Sequence, residues 1–123
     1  MPKVLIRSYG KYSTWDRESR HLPKLEELTY TVKAEVGVEF GMIVEFAQAK
    51  GRIIDYTIEH PPFVNSAGQA EPPFEGSVQI RKNPYEFFLG DTIWEPIDDK
   101  RGPWTMIVAM DGKVLASKTI LLT

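Results

Sequence analysis

Four side chains in this sequence combine the types that recognise ligands at a protein surface: Trp15, Asp91, Trp94 and Glu95. An exposed indole beside a carboxylate suits two kinds of recognition. It stacks on the apolar face of a sugar whose hydroxyls the carboxylate takes, or it anchors in a pocket of a protein partner. Trp15 lies in the polar stretch Tyr12-Ser13-Thr14-Trp15-Asp16. Trp94 lies in Thr92-Ile93-Trp94-Glu95-Pro96, where the chain leaves a strand. Aromatic side chains usually bury most of their area, so both indoles also fit as caps on the open ends of a β-fold. Trp104 alternates with apolar positions and reads as core.

Catalysis finds less support. A carboxylate pair for glycoside hydrolysis needs two carboxyls about 5–9 Å apart across a cleft. Asp55, Glu59, Asp91 and Glu95 supply the groups, but a small domain has little room for a deep cleft. Serines are present without a G-x-S-x-G elbow. The chain has no cysteine, which excludes thiol catalysis. Neither a P-loop nor G-x-G-x-x-G occurs. His21 and His60 lack metal-ligand spacing, and zinc takes three or four ligands. Asp91, Glu95, Asp98 and Asp99 could supply oxygens to calcium, but no D-x-D-x-D-G pattern orders them, and Lys100 and Arg101 would neutralise the turn. No catalytic residue, cofactor-binding residue or metal ligand is assigned, and no cofactor is expected.

Length and charge bound the partners. At 123 residues one domain spanning 1–123 is expected. The net charge is −2 and the basic residues are scattered, so neither nucleic acid nor an anionic membrane is an expected partner. The lack of cysteine and the short apolar run Val4-Leu5-Ile6, too short for a signal-peptide core, point to the cytoplasm.

The elements that position these side chains read as strands. Val38, Phe40, Met42, Val44 and Phe46 alternate with polar or small residues, a period of two that buries one face. Ile43 breaks the alternation, which implies cover on the outer face. Ile54, Tyr56 and Ile58 alternate next, and the intervening Ala49-Lys50-Gly51-Arg52 predicts a hairpin. Thr29–Val36, Val78 with Ile80, and Tyr85 with Phe87 and Leu89 read as further strands. Trp104, Met106, Val108 and Met110 run up to Asp111-Gly112, a type I′ turn signal. Counting across that turn leaves Ile120 and Leu122 out of phase, so a bulge is predicted near Ala116–Lys118. Pro23–Leu28 allows one helical turn. Two copies of Pro-Pro-Phe, at 61–63 and 72–74, bracket a long loop and read as stiff ends, each anchored by its Phe. Seven or eight short antiparallel strands with almost no helix predict an all-β, immunoglobulin-like β-sandwich, with a small closed barrel as the alternative.

Three segments taken together resemble a known family. They are Tyr9-Gly10-Lys11-Tyr12 with Trp15-Asp16 and Leu22-Pro23, then Val38-Glu39-Phe40-Gly41, then Gly90–Pro96 with Gly102, Trp104 and Asp111-Gly112-Lys113. The chain resembles domain-of-unknown-function family 3859, an uncharacterised bacterial family of small cytosolic domains. The resemblance covers most of the chain, and the Gly90–Pro96 run and the final hairpin are its most specific parts. It implies no catalytic residue.

The expected function is therefore non-enzymatic. The leading reading is a module that acts through protein contacts, including self-association as a homodimer through a sheet edge. The alternative is a carbohydrate-binding domain that uses Trp15 and Trp94 with Asp91 and Glu95. A carboxylate-dependent hydrolase stands third.

Overall fold

The computed structural model describes residues 2–15 and 21–123. Nine strands follow in order: β1 (Lys3–Tyr12), β2 (Leu25–Leu28), β3 (Thr31–Val32), β4 (Glu39–Ala47), β5 (Ile53–Glu59), β6 (Phe74–Gln79), β7 (Tyr85–Thr92), β8 (Gly102–Met110) and β9 (Lys113–Leu122). They form two facing sheets, one in the order β2-β1-β4-β7 and one in the order β3-β9-β8-β5-β6. The only helical element among the described residues is a 3-10 turn at Asp98–Lys100.

The alternating sequence builds the core directly. Phe40, Met42, Val44 and Phe46 of β4 face Ile54 and Ile58 of β5, Trp104, Met106 and Val108 of β8, and Ile120 and Leu122 of β9. Each such side chain contributes about 1.5–3 kcal/mol when fully buried, so this shared layer dominates the stability. Ile43 points the other way, and its outer face is covered as its sequence context implied. It packs with Tyr12 and Phe88 into a second small cluster, against which Trp15 and Leu22 lie. The chain between β1 and β2 thus supplies cover for the outer face of the first sheet. The polar run Arg17–Arg20 lies outside the described residues.

A row of glycines crosses the first sheet. Gly10 of β1 pairs with Gly41 of β4, which pairs with Gly90 of β7. A side-chain carbon at Gly90 would overlap the carbonyl oxygen of Phe40, and one at Gly41 would overlap that of Leu89. The strands approach closely here because three consecutive ladder positions carry no side chain. Each of the three family-like segments donates one glycine to the row.

Several local expectations need correction. Pro23–Leu28 contains no helical turn. Its last four residues form β2, because pairing Gly10 with Leu28 and Lys11 with Glu27 satisfies backbone groups that one helical turn would leave open. β4 and β5 do not form a hairpin: they belong to different sheets, and Ala49–Arg52 carries the chain across the core. Both strands bury an apolar face, and sandwich geometry lets those faces meet only from opposite layers. Thr29–Val36 shrinks to the two-residue β3, which runs parallel to β9, the one exception to antiparallel pairing among the described strands. Among the described residues the strands number nine, against the roughly seven or eight expected, and the all-β expectation holds.

The β8–β9 hairpin turns at Asp111 and Gly112, with φ of 53° and 80° as a type I′ turn requires. Val108 pairs with Ala116 and Ala109 with Val114, so the extra residue is Leu115. The bulge falls one residue before the predicted stretch, which puts Ala116, Ile120 and Leu122 on the buried face.

Between β1 and β9 the gap between the sheets is closed by a different set of side chains. Tyr9 and Tyr30 stack at 4.4 Å, and Lys118 donates to the Tyr30 hydroxyl at 2.9 Å while lying over the Tyr9 ring. This hydrogen bond lowers the pKa of Tyr30 and raises that of Lys118. Lys118 shares the inner face with Met106, its ladder partner, and its long stem lets the ammonium reach the edge.

Candidate functional site

The sites lie on the side of the sandwich where both sheets end, in β6 and β7. β7 runs out at Thr92, and Ile93 is locked to Val38 and Gly37 by backbone hydrogen bonds of 2.9 Å. That fixes Trp94 at the sandwich end. Its ring meets Phe63 edge-on at 5.6 Å and Trp104 at 6.1 Å.

Glu95-Pro96 then leads into the 3-10 turn at Asp98–Lys100, which sends Lys100 back under the aromatic rings. Lys100 is only 1 % exposed. Its ammonium donates to Asp99 Oδ1 at 2.7 Å and to the Pro96 carbonyl at 3.1 Å. It also lies 4.5 Å from the centroid of Phe63 and 4.7 Å from that of Trp94. Trp104 Nε1 donates to the Lys100 carbonyl at 2.8 Å, tying the turn to the core. A buried ammonium is tolerated when it is paired, hydrogen-bonded and faced by aromatic rings, and all three conditions hold here. Beside Asp98 and Asp99 the sequence reads Lys100 as a solvated counter-charge. It is a structural centre of the site.

The loop between the two Pro-Pro-Phe copies forms the opposite wall. His60 follows β5, stacks on Phe63 at 4.3 Å and meets Phe74 at a tilt at 4.8 Å. Its Nδ1 lies 2.8 Å from the Pro61 carbonyl oxygen and its Nε2 2.8 Å from that of Pro72, so one imidazole bridges both stiff loop ends. Beyond Phe63 the chain makes a small turn ordered by Asn65, whose side-chain oxygen accepts from the N–H groups of Ala67 and Gln69. A Val64–Ala70 bridge closes it. Phe63 is buried and Phe74 half-buried, as the anchor reading of the two motifs requires.

Between these walls lies a hollow of about 640 Å³ with Phe63, Phe74 and Trp94 on its apolar side. Glu95 lines it, together with Asn65, Ser66, Glu71 and Asp99. A second hollow of about 330 Å³ runs between β7 and the β5–β6 pair, and Trp15, Tyr56, Phe87 and Asp91 line it. Phe74 borders both. The four sequence candidates are therefore split into two pairs, Trp94 with Glu95 and Trp15 with Asp91. Trp15 meets Phe88 edge-on at 5.0 Å and donates from Nε1 to the His21 carbonyl at 2.9 Å. It covers the outer face of the first sheet and does not cap a sandwich end. Asp91 Oδ1 accepts from the Thr92 N–H.

The acids proposed for hydrolysis are dispersed. Asp55 and Glu59 sit on the exposed face of β5, where Asp55 accepts from Ser77 Oγ at 2.7 Å. Of the four, Glu95 lines the larger hollow and Asp91 the smaller, and neither Asp55 nor Glu59 lines either. Asp98 pairs with Arg101 on the surface. Among the described residues no three His, Cys, Asp or Glu side chains gather as metal ligands would. No helix of the described chain is long and apolar enough to cross a membrane.

Comparison with solved structures finds an immunoglobulin-like protein from Pseudomonas aeruginosa. Its TM-score is 0.76 at 22 % identity, over 98 % of this chain and 97 % of that one. The two-sheet architecture is thus an immunoglobulin-like β-sandwich, and at that identity the likeness speaks for the fold alone. No curated protein matches the chain. The glycine row, the Trp94 turn and the Asp111-Gly112 turn of the final hairpin all fall within residues 1–120, which match the family model described as "Domain of unknown function (DUF3859)", and the chain belongs to that family.

Proposed function

We propose that this domain is a non-enzymatic interaction module that takes an extended segment of a protein partner along the side where β6 and β7 run. One observation carries this reading: both sheets end on that side in edge strands, and an apolar hollow lined by Trp15, Tyr56 and Phe87 lies between them. Edge strands present backbone donors and acceptors that an added strand can use, while the hollow receives alternate side chains. The opposite edge of the first sheet is less suited. β2 reads Leu25-Glu26-Glu27-Leu28 and is exposed throughout, with two adjacent carboxylates that discourage pairing. A second copy of the chain is one partner this side could take, by antiparallel pairing of β6 with β6. The absence of cysteine fits a cytoplasmic setting.

The test compares what the immobilised wild-type domain, Trp15→Ala and Leu28→Lys retain from lysate, after circular dichroism has verified all three folds. A partner held by wild type and Leu28→Lys but lost by Trp15→Ala supports the reading. Retention by all three, or loss only in Leu28→Lys, contradicts it. Sedimentation over a concentration series identifies the self-associating case.

A further inference from the structure

The hollow beneath Trp94 is separate from the β6–β7 groove and has its own chemistry. We propose that it binds a neutral saccharide, with Trp94 and Phe74 as the stacking surface and Asn65, Ser66, Glu71 and Glu95 as partners for its hydroxyls. Three observations point to this ligand class. The hollow measures about 640 Å³, inside the range of roughly 300–1,000 Å³ typical of small-molecule sites. It sets aromatic rings against a rim of amide, hydroxyl and carboxylate groups. That mixture matches a sugar, which has an apolar C–H face and a periphery of hydroxyls that both donate and accept.

The charges decide between ligand classes. Glu71, Glu95 and Asp99 outnumber Lys100 on the lining, so a phosphate or carboxylate would meet net repulsion. A cationic ligand would be repelled by the chain's own ammonium, which lies 4.5 Å from the Phe63 centroid and 4.7 Å from that of Trp94, whereas a neutral ring stacked on Trp94 and Phe74 meets no such repulsion. A purely apolar ligand would strip water from the carboxylates and give nothing back. A neutral, hydroxyl-rich ring satisfies the walls and the rim together. Trp15 and Asp91 take no part, because they line the other hollow.

The test is a titration of the whole domain with cellotriose, maltotriose, mannotriose and N,N′-diacetylchitobiose, followed by tryptophan fluorescence and by saturation-transfer NMR. Glucose 6-phosphate and tetramethylammonium serve as the anionic and cationic probes. The expected result is saturable binding of at least one neutral saccharide at millimolar or lower concentration, with both charged probes at least tenfold weaker. Glu95→Arg, at an exposed rim position, should weaken that binding tenfold or more, and Trp94→Leu should abolish the quenching. Trp15→Ala should leave the affinity within twofold of wild type. Lack of binding across the neutral panel overturns the proposal. So does stronger binding of either charged probe, or sugar binding that Trp15→Ala removes and Glu95→Arg spares. If capture of a protein partner fails while the sugar titration succeeds, only the interaction reading falls, because capture turns on Trp15 in one hollow and sugar binding on Trp94 and Glu95 in the other.

Discussion

Replacing Lys100 tests whether the buried ammonium holds the Trp94 turn in place. In Lys100→Met the new side chain fills most of the space of the lysine stem, so the main loss is the charge and its partners. Those are a charge-assisted hydrogen bond to Asp99, a second hydrogen bond to Pro96 and two ring contacts. Removing one partner of a buried pair costs about 3–5 kcal/mol when the other is left dry. Asp99 keeps 33 % of its side chain exposed and can rehydrate, which brings the cost down to about 2–3 kcal/mol. Lys100→Ala also removes three methylenes of packing, about 0.8 kcal/mol each, for a total near 5 kcal/mol. At roughly 4 °C per kcal/mol for a domain of this size, Lys100→Met should lower Tm by about 10 °C and Lys100→Ala by about 20 °C. Thermal melts read the Tm shifts, and urea unfolding monitored by tryptophan emission reads the free-energy differences, with the slope m unchanged. Adding Asp99→Asn to Lys100→Met should cost less than the same change in wild type, because its partner has already gone. If Lys100→Met is as stable as wild type, or more stable, desolvation cancels the interactions and the ammonium does not organise the site.

Two further predictions concern the first sheet. Gly90→Ala places a carbon against the Phe40 carbonyl and the Gly41 backbone, forcing β4 and β7 apart, and should cost about 3 kcal/mol, at the upper end of overpacking. Gly68→Ala has open space around it and carries only the strain of a φ of 77°, about 1 kcal/mol, so equal melting points for the two variants would contradict the close approach of β4 and β7. Burial pushes the Tyr12 phenol up to about 12, against the opposing effects of the Ser8 and Ile43 hydrogen bonds. The unfolded phenol ionises near pH 10, so its contribution is complete below about pH 10 and disappears as pH climbs through about 12, a loss of roughly 2–3 kcal/mol. Urea midpoints measured from pH 9 to 12 should show this fall in wild type and a shallower one in Tyr12→Phe; identical profiles would rule Tyr12 out as the cause.

The readable part of the fold was the part with a period. Alternation along β4, β5 and β8 located the inner faces, and Asp111-Gly112 located the last turn, because strand geometry and positive φ act within a few residues. The apolar count after that turn even required a bulge, although it could not choose between Leu115 and its neighbours. The pairing partners were not readable. β4 and β5 look like a hairpin locally, and only the demand for two facing layers separates them. Leu25–Leu28 becomes a strand because Gly10–Tyr12 offers a free edge, which no local propensity records.

The candidate site was half readable. The four candidates were named as one surface, but Trp94 and Glu95 line one hollow and Trp15 and Asp91 another, with Phe74, a residue seen only as half of a repeated motif, bordering both. Lys100 was missed because a charged residue beside Asp98 and Asp99 reads as solvated. Its burial follows from Phe63, Trp94 and Trp104 converging from three distant segments.

The most direct test of the interaction reading is amide hydrogen exchange on the domain with and without its captured partner. Added protection concentrated in β6 at 74–79 and β7 at 85–92, with β2 at 25–28 exchanging as before, is the predicted result. Protection confined to β2, or none in either β6 or β7, would contradict it.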